Sequence, residues 1–277
     1  MKISRELFGL VFRLHATQPW LDRYEEQLLA LMNECEHIAE QQLLVALIEK
    51  FCYLDADKHN ASVQSVCRKI AEDWRLVEAE TQIVAATADS SPDSGQVVVY
   101  EVKNAMANFG WDAPFGVNRY DRAQRHINSR RNIVLVDEFI GSGRTMAGRI
   151  RTMRDQFKAK GVLDAKFYVA VYAGMEFSRD IINEEMCEDI FMANSLRKGI
   201  SEMSLPDNVN TDLGVMSGIE DRLAANWNGL SLPRLGDAEC EALYGRHIGN
   251  APNSVFPVFW WPILLDGMGR RSIFTRR

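Results

Sequence analysis

Residues 133–136, Ile-Val-Leu-Val, constrain the fold more than any other segment. A strand that is apolar on successive residues must be covered on both faces, the condition of a central strand in a parallel sheet with helices on either side. Residues 141–145 then form a turn, and 146–159 carry a helical pattern stopped by Gly161. Residues 167–172 make a second buried strand, 180–188 a helix and 189–193 a short strand, so the middle of the chain alternates strand and helix. Upstream, residues 83–86 form a short strand that runs into the turn-forming cluster ADSSPDSG. Val98, Val102, Met106 and Phe109 follow at helical spacing and predict a helix, although VVVYEV has the composition of a strand.

The first third reads as helical. Tyr24, Leu28, Leu31, Cys35 and Ile38 recur at steps of four and three behind Pro19, which is placed to open a helix. After a polar break at residues 55–60, Val66, Ile70, Trp74 and Val77 repeat that spacing with Ser62 as the expected N-cap. The expected organisation is a helical region over residues 1–80, offering a partner or dimer surface, and an α/β region with a C-terminal extension over 81–277. Residues 110–131 form a long irregular connector rich in arginine and aromatics, and loops of that length carry function.

A net charge of −6 argues against a broad nucleic-acid-binding surface and leaves only local basic patches, such as Arg270, Arg271, Arg276 and Arg277. The five cysteines, Cys35, Cys52, Cys67, Cys187 and Cys240, are odd in number and hold no C-x-x-C pair, so reduced thiols and a cytoplasmic location are expected. No long apolar run or signal peptide is evident, and no membrane partner is expected.

In open α/β sheets ligands sit at the carboxyl ends of the strands, which directs attention to Asp137 and Glu138 after Val136. Adjacent carboxylates there are costly unless they meet a cation such as Mg²⁺ or accept hydrogen bonds from the hydroxyls of a sugar. Gly141 and Gly143 supply unusual backbone angles and Ser142 and Thr145 supply hydroxyls. With Arg144 they open a helix whose first amides face the loop, which makes an anion nest. Acids for a sugar and a Gly/Ser/Thr loop for a phosphate describe a ribose-5-phosphate site. A Walker B strand has the same apolar run and acids, but it needs a G-x-x-x-x-G-K-[ST] loop, and the chain has none. Ser90, Ser91, Ser94 and Gly95 form a candidate pyrophosphate loop, with Ser94 as a helix cap. Arg119, Arg122, Arg125, Arg130, Arg131 and Arg144 are candidates to balance phosphate charge. His247, Asn253, Trp260 and Trp261 read either as a base-binding group or, by preference, as core.

Residues 133–145, IVLVDEFIGSGRT, resemble the PRPP-binding signature of phosphoribosyltransferases, with Glu138 in the second acidic position. Together with TQIVAATADSSPDSGQ and NAPNSVFPVFWWP they resemble the phosphoribosyltransferase-like family of prokaryotic conflict systems, found with antiphage modules including some retrons. The resemblance implies a type I phosphoribosyltransferase-like parallel sheet flanked by helices. Asp137 and Glu138 would hold ribose hydroxyls and residues 141–145 would wrap the 5-phosphate of PRPP or a related nucleotide, with Mg²⁺ as cofactor. It further implies a regulated toxin of an antiphage system, held by a defence protein or by a retron's reverse transcriptase and RNA–DNA, alone or as an oligomer. The alternative is a catalytically inactive module of the same fold that senses a nucleotide or docks a nucleoprotein.

Overall fold

A computed structural model describes residues 5–88, 93–247 and 249–276. In chain order its principal elements are α1 (Arg5–Thr17), α2 (Glu25–Asn33), α3 (Ile38–Glu49), β1 (Cys52–Leu54), α4 (Ala56–Arg68) and β2 (Thr81–Ala85). They continue through α5 (Ser94–Ala105), β3 (Gly116–Val117), β4 (Asn132–Ile140), α6 (Arg144–Ala159), β5 (Lys166–Met175), α7 (Ser178–Asn183) and β6 (Asp189–Leu196). The last are α8 (Val209–Glu220), β7 (Asn226–Trp227), β8 (Leu230–Ser231) and β9 (Tyr244–Arg246). The chain divides into two compact units, one made of Met1–Asp55 with Leu196–Arg277 and the other of Ala56–Ser195.

The second unit is an α/β sandwich. Its sheet has the order β3-β2-β4-β5-β6, with β3, β2, β4 and β5 mutually parallel. Residues 133–136 are fully buried at its centre, as an apolar run in a covered strand must be. Side chains alternate along β4: Ile133 and Leu135 join Met146, Ile150, Met153 and Phe157 of α6 in one core. Val134 and Val136 face the other way, and α5 and α4 cover that face of the sheet. Helix α5 forms where its period predicts, with Val98, Val99 and Val102 buried and Val97 and Tyr100 exposed.

The expected division at 80/81 falls inside this unit, because α4 packs against α5 and β5. Helix α4 begins at Ala56, so the polar residues 56–60 are its first turns rather than a break. Ser62 is no cap; it lies within the helix and its hydroxyl donates back to the Lys58 carbonyl at 2.8 Å. Val66 and Ile70 are buried as the stripe requires, whereas Val77 is 54% exposed beyond the helix end.

The first unit joins the two ends of the chain. β1 pairs in parallel with β9, Cys52 beside Tyr244, through a separation no local pattern encodes. The stripe from Tyr24 to Ile38 belongs to more than one helix: Pro19 opens a 3₁₀ turn, α2 ends at Asn33 and α3 starts at Ile38. Trp260 and Trp261 are core, 2% and 0% exposed, with their rings edge-on at 5.4 Å. The terminal arginines Arg270, Arg271 and Arg276 are not a free basic cluster; Arg277 lies outside the described residues. Arg270 is buried against Glu34, Arg271 pairs with Glu26, and Arg276 donates to the Ala251 carbonyl and lies over the Trp260 ring. None of the five cysteines is in a disulfide. No described helix is long and apolar enough to cross a membrane.

Candidate functional site

The sheet order places a topological switch point between β2 and β4. From β2 the chain moves through α5 to β3 on one side, and from β4 through α6 to β5 on the other. The two strands also differ in length at this point. β4 pairs with β2 only as far as Val136 opposite Ala85, yet its pairing with β5 continues to Ile140 opposite Gly174. A notch is therefore left beside Asp137 on the β2 side.

The first turn of α5 returns to that notch. Gly95 lies against the ends of both strands, so that a Cβ there would sit 3.5 Å from the Ala86 amide and 3.7 Å from Asp137 Oδ1. The cap of α5 is Asp93, whose carboxylate accepts from the Ser94 amide at 2.6 Å; Ser94, the expected cap, is the first helical residue. The Ser94 hydroxyl lies 3.3 Å from Asp93 Oδ1 and 3.5 Å from Asp137 Oδ1. Ser90 and Ser91 lie outside the described residues.

Asp137 Oδ1 also accepts from the Glu138 amide at 2.8 Å, and Arg149 approaches Oδ2 at 3.7 Å. Burial dominates these contacts and pushes the Asp137 carboxyl up to about 6, with the nearby Asp93 charge acting in the same direction. Arg149 was not among the arginines singled out from sequence. It lies four residues after Thr145, one helical turn on, and its guanidinium rests over the Tyr120 ring at 5.9 Å. The arginines that were singled out are engaged elsewhere or exposed. Arg119 forks onto Asp121 at 2.9 Å through two nitrogens, Arg122 approaches the same carboxylate, and Arg131 pairs with Asp164. Arg130 donates to the Glu78 and Thr81 carbonyls, while Arg125 and Arg144 are exposed.

Glu138 does not join Asp137. Because β4 runs on to Ile140, strand alternation turns Glu138 to the face covered by α4 and α5, where it is 4% exposed, lies between the pairs Asp137–Val171 and Phe139–Ala173, and acts electrostatically on Tyr172 of β5. The Tyr172 hydroxyl donates to Glu101 at 2.8 Å, and the same carboxylate meets His59 at 3.0 Å.

Residues 141–143 lead from β4 into α6, with Gly141 and Ser142 half-buried, Gly143 buried, and Arg144 and Thr145 exposed. Gly143 has φ +83°, and its carbonyl accepts the Ala147 amide at 2.9 Å as the helix begins. The amides of the first turn then have no helical acceptor and carry the positive end of the helix dipole, which is the chemistry an anion site requires. A Cβ at Gly143 would meet the Ser178 carbonyl oxygen at 2.8 Å. Gly143→Ala is therefore expected to cost about 1–3 kcal/mol in urea denaturation, through a left-handed backbone and that clash together.

The oxygen-only donors at the notch, Asp93, Ser94 and Asp137, have the chemistry of a hard-cation site. No described group of three or more His, Cys, Asp or Glu residues is arranged to hold a metal ion alone. That donor set fits a hydrated Mg²⁺, which Asp93, Ser94 and Asp137 would hold. A cation there would also offset the burial of the Asp137 carboxylate.

A family model described as PRTase-CE matches residues 33–264. The chain belongs to the PRTase-CE family. The PRTase-CE match begins before α3 and ends past the tryptophan pair, so it takes in residues of both units. Structural neighbours include the crystal structure of hypoxanthine-guanine phosphoribosyltransferase from Schistosoma mansoni in complex with IMP, at 11% identity and a TM-score of 0.32. That likeness covers 50% of this chain and 62% of the enzyme, so the chain spans less than two thirds of it. Another is the AQ2163 protein from Aquifex aeolicus, at 13% identity and a TM-score of 0.35, covering 76% of this chain and 96% of that one. A third is the C-domain of LpoA from Haemophilus influenzae, a regulator of PBP1A, at 11% identity and a TM-score of 0.32, covering 48% and 39%. No curated protein matches the chain.

Proposed function

We propose that the notch between β2 and β4 binds the ribose-5-phosphate part of PRPP or a related nucleotide, and that the protein carries out phosphoribosyl transfer or hydrolysis. The observation that carries this reading is the placement of Asp137. One half-buried acid, Asp137, stands at the switch point beside the start of α5, and four residues before it, at Ile133, the strand has already entered the covered core. Further along the same strand lies the anion nest at the start of α6. Asp137 would accept from ribose hydroxyls, the amides after Gly143 would hold the 5-phosphate, and the start of α5 with Arg149 would face the pyrophosphate. Asp93, Ser94 and Asp137 would hold Mg²⁺, whose charge would offset that of a pyrophosphate leaving group. The carboxylate stabilises the positive charge that develops on the sugar as the bond to pyrophosphate breaks.

The finer reading rests on the family resemblance of the motif and tail. In it the protein is a cytoplasmic effector of antiphage defence, kept silent by a defence protein or nucleoprotein partner and toxic when released. Metabolite and nucleic-acid profiles of cells expressing the wild type and the Asp137→Asn/Glu138→Gln variant test both levels. A nucleotide or nucleic-acid change present with the wild type and absent with the variant supports the reaction and the toxicity. Identical profiles, with both proteins folded and expressed, count against catalysis.

A second reading is favoured by one observation. Glu138 is turned to the other sheet face and buried, which leaves one motif acid at the notch. A module that binds the nucleotide without turning it over needs no more than that. Saturable PRPP binding with no pyrophosphate release would establish this alternative.

A further inference from the structure

In the unit built from the two chain ends, α2, α3, α8 and the segment around Leu264 line a partly open cavity of about 400 Å³. That volume lies within the range of about 300–1,000 Å³ typical of small-molecule pockets. One wall is aliphatic, made by Leu31, Leu44, Ile219 and Leu264. The other carries Glu34, Cys35, Arg222 and Arg270.

Apart from the carboxylate of Asp266, which is exposed at the rim, the charges on this polar wall are matched. Arg270 gives Nε and Nη2 to Glu34 Oε2 at 3.0 and 2.6 Å, and Nη1 to the Trp261 carbonyl at 3.0 Å. Arg222 forks onto Glu40 at 2.9 and 2.8 Å. An anion bound by these guanidinium groups would have to displace a carboxylate, and a cation bound by Glu34 or Glu40 would have to displace a guanidinium. Both exchanges surrender a charge-assisted pair. The pairs nevertheless leave an acceptor in Glu34 Oε1 and a donor in the Arg222 Nε–H, neither engaged among the described residues. Cys35 donates to the Leu31 carbonyl, and its thiol is pushed up to about 12 by burial, so it remains protonated and is not a nucleophile.

We infer that this cavity is a second ligand site, for an uncharged molecule with an aliphatic or aromatic body and a hydroxyl or amide-like head that meets Glu34 and Arg222. Its walls come from the other unit than the one that holds β4, so the inference does not depend on the phosphoribosyl reading.

The test uses the full chain and N-phenyl-1-naphthylamine, an uncharged fluorescent probe with one N–H donor. Saturable enhancement with one probe per chain is expected, displaced by octan-1-ol at concentrations at least tenfold lower than by octanoate or octylammonium. Leu264→Trp, which fills the cavity, and Leu265→Trp, at an exposed position on its rim, should each weaken probe binding at least tenfold, while Leu264→Ala retains it. Leu265 is 68% exposed, so its replacement leaves the core intact even where Leu264→Trp disturbs folding. Absence of saturable binding, equal displacement by the charged competitors, or unchanged binding in a folded Leu265→Trp protein would overturn the assignment.

Discussion

Replacing Asp137 with asparagine is expected to stabilise the ligand-free protein and to weaken its ligand binding at the same time. The carboxyl is pushed from 3.8 up to about 6 by burial, so in the unfolded chain it ionises at a lower pH than in the folded one. Between about pH 4 and 6 the folded state therefore holds the extra proton, and stability falls as pH rises through this window. Above it the cost is fully present, at about 1–3 kcal/mol. Asparagine removes that cost and flattens the pH dependence, which urea denaturation at pH 4, 6 and 8 would detect. The same change should weaken PRPP binding by about tenfold to a hundredfold, the effect of losing a charged acceptor for ribose hydroxyls. A variant that is less stable at pH 8, or one that binds as the wild type does, would remove Asp137 from its assigned role. A gain in stability bought by a loss of binding is the usual signature of a functional acid held in an unfavourable place.

Trp260→Ala is expected to cost about 3–5 kcal/mol, the range for emptying a large aromatic from a core. Trp260 is 2% exposed, meets Trp261 edge-on and donates its Nε1–H to the Val255 carbonyl at 2.9 Å. Against a total stability of about 5–15 kcal/mol, the loss is large enough to leave a substantial unfolded fraction near physiological temperature. Trp260→Phe should recover part of it. A loss below about 1 kcal/mol accompanied by weakened nucleotide binding would instead revive a base-stacking role for this ring.

Where the pattern was local and strongly periodic, the chain was legible. β4, α6 and β5 formed where the apolar run, the glycine turn and the helical stripe placed them, and the period of α5 prevailed over its β-branched composition. What escaped depended on pairing between distant residues. The continuation of β4 to Ile140 is decided by β5, and it is this continuation that sends Glu138 away from Asp137. Arg149 was missed because it lies beyond the motif and comes to Asp137 only through the packing of α6. The pairing of β1 with β9 likewise leaves no trace in either segment, yet it joins the N-terminal helices to the C-terminal segment. The terminal arginines read as a basic cluster because their carboxylate partners, Glu26 and Glu34, lie more than two hundred residues earlier.

Isothermal titration of the full chain with PRPP, in the presence and absence of Mg²⁺, tests the central claim most directly. The account predicts one site per chain, tightened by Mg²⁺ and weakened in both Asp137→Asn and Gly143→Ala. No saturable heat with either PRPP or ribose-5-phosphate, or binding that both variants retain at full strength, would contradict it.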